Sequence, residues 1–177
     1  FLITDLDGNG REELVVISHE QIWAFDAHEG HQTLYAAYAP TIRTYMATIA
    51  AVKLQPDDAC PALVMINPSL PGLRAVSQDG RTVARELWKV VIGGQEDQYQ
   101  KRVTVTPAGT SLVYQLDDAG PPLVLAAIRN EHGDGETRLV VFDARTGARL
   151  VELPETEVLA ADDLDGDGRA ELVFRRG

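Results

Sequence analysis

The sequence predicts an all-β chain assembled from repeated four-stranded antiparallel units. Three observations lead there. A loop of alternating acids and glycines occurs twice, at 5–13 and 163–171, and each copy runs directly into an apolar, strand-like stretch. A strand ending in a glycine turn recurs in phase with the loops. Helix signals are weak: the best helical stretches, around 35–50 and 83–92, are rich in Thr, Val, Ile, Tyr and Trp and lack clean caps at both ends.

Residues 161–174 repeat residues 3–16 almost position for position, and two decayed copies lie between them, at 54–66 and 115–125. Aligned on the leucine that opens each apolar run, the copies fall at Leu14, Leu63, Leu123 and Leu172, with spacings of 49, 60 and 49 residues. The strand-to-glycine segments are 23–30, 73–80 and 140–147, followed by strand-like runs at 33–35, 82–88 and 149–153. Glycine supplies the positive φ that tight hairpins require, and β-branched and aromatic flanks suit a half-buried pleated surface. One repeat therefore reads strand, acidic loop, strand, turn, strand, glycine turn, strand. A period near 50 with four strands per unit suits the blade of a β-propeller.

The expected architecture is one β-propeller segment of about three and a half blades, an incomplete ring, with repeats at about 1–43, 44–102, 103–154 and a partial one at 155–177. A β-sandwich shares the short, evenly spaced strands but does not explain a loop fixed in place within each unit. Both ends fall mid-blade, so the chain is expected to be a stretch of a longer one whose open blade edges favour self-association. The extra residues of the longer repeat are placed at 92–109, where polar 93–101 precedes the alternation that resumes at Val103.

With 45% hydrophobic and 24% charged residues, the chain has the composition of a folded globular protein. Its formal charge of −11, from 27 acidic against 16 basic residues, repels phosphate backbones, so nucleic acid is a poor partner. No apolar run approaches the roughly 18 to 20 residues that span a bilayer, so no membrane insertion is expected in this segment. Cys60 is the single cysteine and forms no internal disulfide; between Ala59 and Pro61 it reads as a small buried residue.

Both loops carry oxygen side chains at positions 1, 3, 5 and 9: Asp5, Asp7, Asn9 and Glu13 in loop one, Asp163, Asp165, Asp167 and Glu171 in loop two. Side-by-side carboxylates repel unless a cation sits among them, and calcium takes six to eight hard oxygen ligands. The carbonyls of Arg11 and Arg169, at position 7, are the natural further ligands. Gly8 and Gly10, and Gly166 and Gly168, stand where the chain turns sharply. An EF-hand opens alike but needs an acid at position 12, where these loops have Val16 and Phe174, and a helix where these loops exit into a strand. Magnesium prefers small octahedral shells rich in water, and transition metals favour His or Cys, which the loops lack. Two calcium sites are expected, the second tighter because it offers four carboxylates against three.

The stretches 5–16 and 163–174 resemble the FG-GAP or VCBS repeats of integrin-α-like β-propellers, whose acidic loop binds calcium between the first two strands of a blade. Glu13 and Glu171 stand where the family has Asp, Asn9 replaces an acid, and the loops at 54–62 and 115–122 have lost the pattern. The resemblance implies an extracellular or periplasmic, non-catalytic recognition or scaffold module with a protein or carbohydrate ligand. Its alternative is a segment of a propeller carbohydrate-active enzyme, similar to the polysaccharide lyases, in which calcium is structural. No catalytic residue can be named from the sequence.

Weaker candidates stand beside these. His28 and His31 form a pair in a hairpin turn, where side chains three apart need not converge on a metal. The segment 130–136 is acidic and glycine-rich but reads as a hairpin loop. Trp23, Trp88, Tyr35, Tyr38 and Tyr45 are candidates for stacking on sugars, although aromatics in blades are more often packed between sheets.

Overall fold

The computed structural model describes residues 1–18, 21–26, 31–37, 48–67, 72–78, 84–92, 103–109, 111–117, 120–130, 135–167 and 169–177. The chain is all-β: every regular element among these residues is a strand, and the strands form four antiparallel sheets, none of them closed. The first sheet has the order β1 (Leu2–Thr4), β2 (Glu13–Ser18), β3 (Gln21–Asp26), β4 (His31–Ala37). The second runs β5 (Thr48–Val52), β6 (Ala62–Asn67), β7 (Gly72–Gln78), β8 (Ala84–Val91). The third contains β9 (Val103–Pro107), β10 (Val113–Tyr114), β11 (Leu123–Asn130), β12 (Thr137–Asp143) and β13 (Arg149–Pro154), and the fourth pairs β14 (Thr156–Asp162) with β15 (Glu171–Arg176).

In the third sheet the opening strand is broken in two. β9 pairs with the far half of β11, Ala126 to Asn130, and β10 with its first two residues. Pro107 has no N–H to continue the ladder, so the chain leaves the sheet there and returns at Val113. The detour is packed: Leu112 is buried, Ala108 N donates to Leu125 O at 3.0 Å, and Leu125 N donates to Leu112 O at 3.1 Å. Part of the surplus expected at 92–109 is thus an interruption of the first strand that continues past Gly109; residues 93–102 lie outside the described residues.

Strand pairing also corrects the repeat alignment. The pairs that close the four first-to-second-strand loops are Thr4 with Glu13, Val52 with Ala62, Tyr114 with Leu123, and Asp162 with Glu171. Leu14 therefore corresponds to Leu63, Val124 and Leu172, and the third repeat is displaced by one residue from an alignment on Leu123. The stretch Leu123-Val124-Leu125-Ala126-Ala127-Ile128 is apolar throughout, so its sequence does not say which residues face which side.

With this register the packing becomes regular. Val64, Ile66 and Trp88 of the second sheet cluster with Val124, Ala126, Val140 and Phe142 on one face of the third. The opposite face of the third sheet, Leu125, Leu139 and Val141, packs with Val158 of the fourth, with Leu172 partly buried alongside. Leu63, on the face of β6 opposite Val64, is fully buried, and β5 lies against β1 of the first sheet. The third sheet thus offers one face to the sheet before it and the other to the sheet after it.

The turn between β12 and β13 ties the second and third sheets together. Asp143 Oδ1 accepts from Arg145 N at 2.7 Å and Thr146 N at 3.2 Å, closing a tight Asx turn. Trp88 Nε1 donates to Ala144 O at 2.8 Å, and Arg145 Nε donates to Leu54 O at 2.7 Å. Gly147, at φ +71°, lies so close that a Cβ there would stand 2.8 Å from the Trp88 ring. Trp88 is therefore committed to packing between sheets rather than to stacking on a sugar.

Candidate metal centre

Loop one, between β1 and β2, is wound by its own side chains. Asp5 accepts from Asn9 N at 3.0 Å and Gly10 N at 2.8 Å, Asp7 Oδ1 from Asn9 N at 3.1 Å, and Asn9 Oδ1 from Arg11 N at 2.8 Å. Loop two, between β14 and β15, repeats the scheme. Asp163 Oδ1 accepts from Gly166 N at 2.7 Å and Asp167 N at 3.1 Å, Asp165 Oδ1 from Asp167 N at 3.1 Å, and Asp167 Oδ1 from Arg169 N at 2.9 Å. Gly8, Gly10 and Gly166 have φ of +73°, +83° and +79°, a region side chains resist. Gly168 lies outside the described residues.

This winding brings three acids together in each loop. Asp5, Asp7 and Glu13 offer ligand atoms within 4.8 Å of one another, and so do Asp163, Asp165 and Glu171. Asp167, expected as a fourth acid, lies outside that group, turned instead to the Arg169 N–H. Arg11 and Arg169 sit on the exposed side of the loops, each held through its N–H by the residue two before it.

The two sites differ in burial. Glu13 is only 2% exposed and Leu6, whose N–H donates to Glu13 Oε2 at 2.7 Å, is fully buried. In loop two the matching bond, Leu164 N to Glu171 Oε2 at 2.9 Å, is exposed, and Leu164 is 60% exposed. Glu13 Oε1 is buried with no hydrogen-bond partner. Burial pushes the Glu13 carboxyl above the usual carboxylate range, the charges of Asp7, Asp5 and Asp26 add to this, and the Leu6 N–H opposes it.

A buried carboxylate oxygen with no donor, set among like charges, is a site built for a positive partner. All the side chains are hard oxygen donors, the set that suits calcium rather than zinc or copper. The residues present therefore fit such an ion. Spacing marks both loops as acidic, but not the depth of Glu13.

The decayed loops show what replaces that chemistry. At 53–61, Gln55 N donates to Asp58 Oδ2 at 2.8 Å and Asp58 N to Gln55 O at 3.1 Å, a local turn. At 115–122, Gln115 Nε2 donates to Asp117 O and, at 3.0 Å, to Gly120 O, while Arg145 reaches the same Gly120 carbonyl at 3.4 Å. Here the loop's carbonyls are gathered by fixed donors of the chain itself. Nothing in the sequence pattern marked Arg145 for this, because it lies 25 residues from Gly120.

Cys60 is free and partly exposed rather than buried as expected, beside loop one. Trp23 is half-buried. His28, Tyr38, Tyr45, residues 131–134 and the side chains of His31 and Tyr35 lie outside the described residues. Comparison with family models, with curated proteins and with solved structures finds no match.

Proposed function

We propose that the chain is a calcium-binding stretch of a β-propeller of FG-GAP or VCBS type, working outside the cytoplasm as a non-catalytic recognition or scaffold module. The calcium part of this reading is carried by one observation: Glu13 Oε1, buried and unpartnered within the Asp5, Asp7, Glu13 group. A bound calcium supplies the missing positive charge and ties the end of β1 to the start of β2; loop two does the same for β14 and β15. The propeller part is supported by the stacking, in which the third sheet passes one face to its predecessor and the other to its successor, and by the loop's fixed place between first and second strands. The ligand class, protein or carbohydrate, follows from the resemblance of the two loops.

Thermal unfolding with calcium and with chelator, on the parent and on Glu13→Gln, tests the proposal. The parent is expected to melt higher in calcium, and Glu13→Gln to lose loop one's share of that gain. A parent indifferent to calcium overturns the reading.

A further inference from the structure

Loop one touches more than its own strands. Gly8 approaches the second sheet's decayed loop so closely that a Cβ on it would stand 2.4 Å from Ala59 O and 3.5 Å from Cys60 Sγ. Gly166, at the equivalent place in loop two with nearly the same φ, has nothing within 4 Å among the described residues. Loop two meets the third sheet's decayed loop elsewhere, through Ala170 N donating to Leu116 O at 3.0 Å. Each acidic loop therefore leans on a decayed loop, and among the described residues loop one alone does so through its glycine.

We propose that loop one is a cation-dependent clasp between the first and second sheets; this rests on the calcium reading above. The winding that presses Gly8 onto Ala59 is the one that aims Asp5, Asp7 and Glu13 at a common point. Without an ion, those three carboxylates repel one another, and the relief available to them is to unwind the loop. Unwinding withdraws Gly8 from Ala59 and uncovers Cys60. An ion that neutralises the acids holds the seam shut, so calcium binding and sheet docking are coupled, each favouring the other.

The single thiol of Cys60 reports this seam directly. Its rate of reaction with a chromogenic aromatic disulfide is measured in calcium and in chelator, with calorimetry on the same samples to register binding. Calcium at about ten times its dissociation constant is expected to slow labelling about tenfold, the factor by which binding depletes the open form. Asp7→Ala should lose this protection, Gly166→Ala should keep it, and Gly8→Ala should label fast in both conditions. Equal labelling rates in calcium and chelator, with two ions bound by the parent and one by Asp7→Ala, would overturn the clasp while leaving the calcium reading intact. No calcium heat in the parent would overturn both. Should Gly8→Ala fail to fold, the parent and Asp7→Ala still decide the matter.

Discussion

Glu13 carries a penalty in the metal-free chain that Glu171 does not. An unpartnered buried oxygen costs on the order of 1–3 kcal/mol, more when charged, whereas the half-buried Glu171 carboxylate keeps part of its contact with water. A cation that satisfies Glu13 recovers this cost as binding energy. The count of four acids against three points to loop two as the tighter site, but only three acids converge in each loop, so the number of converging carboxylates does not separate them. Burial then decides, and loop one is predicted to bind more tightly. Calorimetry of Asp7→Ala and Asp165→Ala checks this: the tighter transition should vanish in Asp7→Ala and survive in Asp165→Ala. Glu13→Gln keeps an acceptor for the Leu6 N–H and removes the charge, so in chelator it should be more stable than the parent, by about 1 kcal/mol. Denaturant midpoints in chelator measure that difference, and a less stable variant would show that the charge is already compensated. Gly166→Val should weaken loop two although no ligand is lost, because φ +79° resists a β-branched residue.

Sheets, unlike loops, were legible in the sequence only where apolar and polar residues alternate or where glycine marks a turn. The hairpin at Asp143 to Gly147 and both acidic loops could be placed from the sequence, since Asp and Gly have few other uses there. The third sheet could not be registered, because β11 is buried on both faces and its composition is indifferent to a one-residue slip. Nor was the seam between the second and third sheets visible, since Trp88 and Ala144 are 56 residues apart. That seam yields a paired prediction. Gly147→Ala meets the Trp88 ring at 2.8 Å, while Gly135→Ala, at a similar φ of +73°, meets nothing within 4 Å. Overpacking costs about 1–3 kcal/mol, so Gly147→Ala should melt several degrees below Gly135→Ala, at about 2–4 °C per kcal/mol. Equal melting temperatures would mean that Trp88 swings aside freely.

On the scale of the whole molecule, apolar cores join the second sheet to the third and the third to the fourth, and loop contacts link neighbouring sheets, the first to the second among them. Two of those loops carry acids and two carry fixed donors, so under the calcium reading proposed above two seams are predicted to respond to the ion while the seam held by Arg145 is not. Chelation should therefore loosen the outer sheets first and leave the Trp88 cluster protected, which hydrogen exchange would show as selective loss of protection in β1, β2, β14 and β15. A site with a dissociation constant of about 10⁻⁴ to 10⁻³ M gains about 1.4 kcal/mol when calcium stands at about ten times that constant.

The measurement that tests the account most directly is a calorimetric calcium titration of the intact chain after chelator has been dialysed away. It should count two ions per chain, reduced to one in Asp7→Ala and in Asp165→Ala and to none when both substitutions are combined. A titration with no calcium-dependent heat up to about 10 mM, ten times the weakest constant expected, would contradict it.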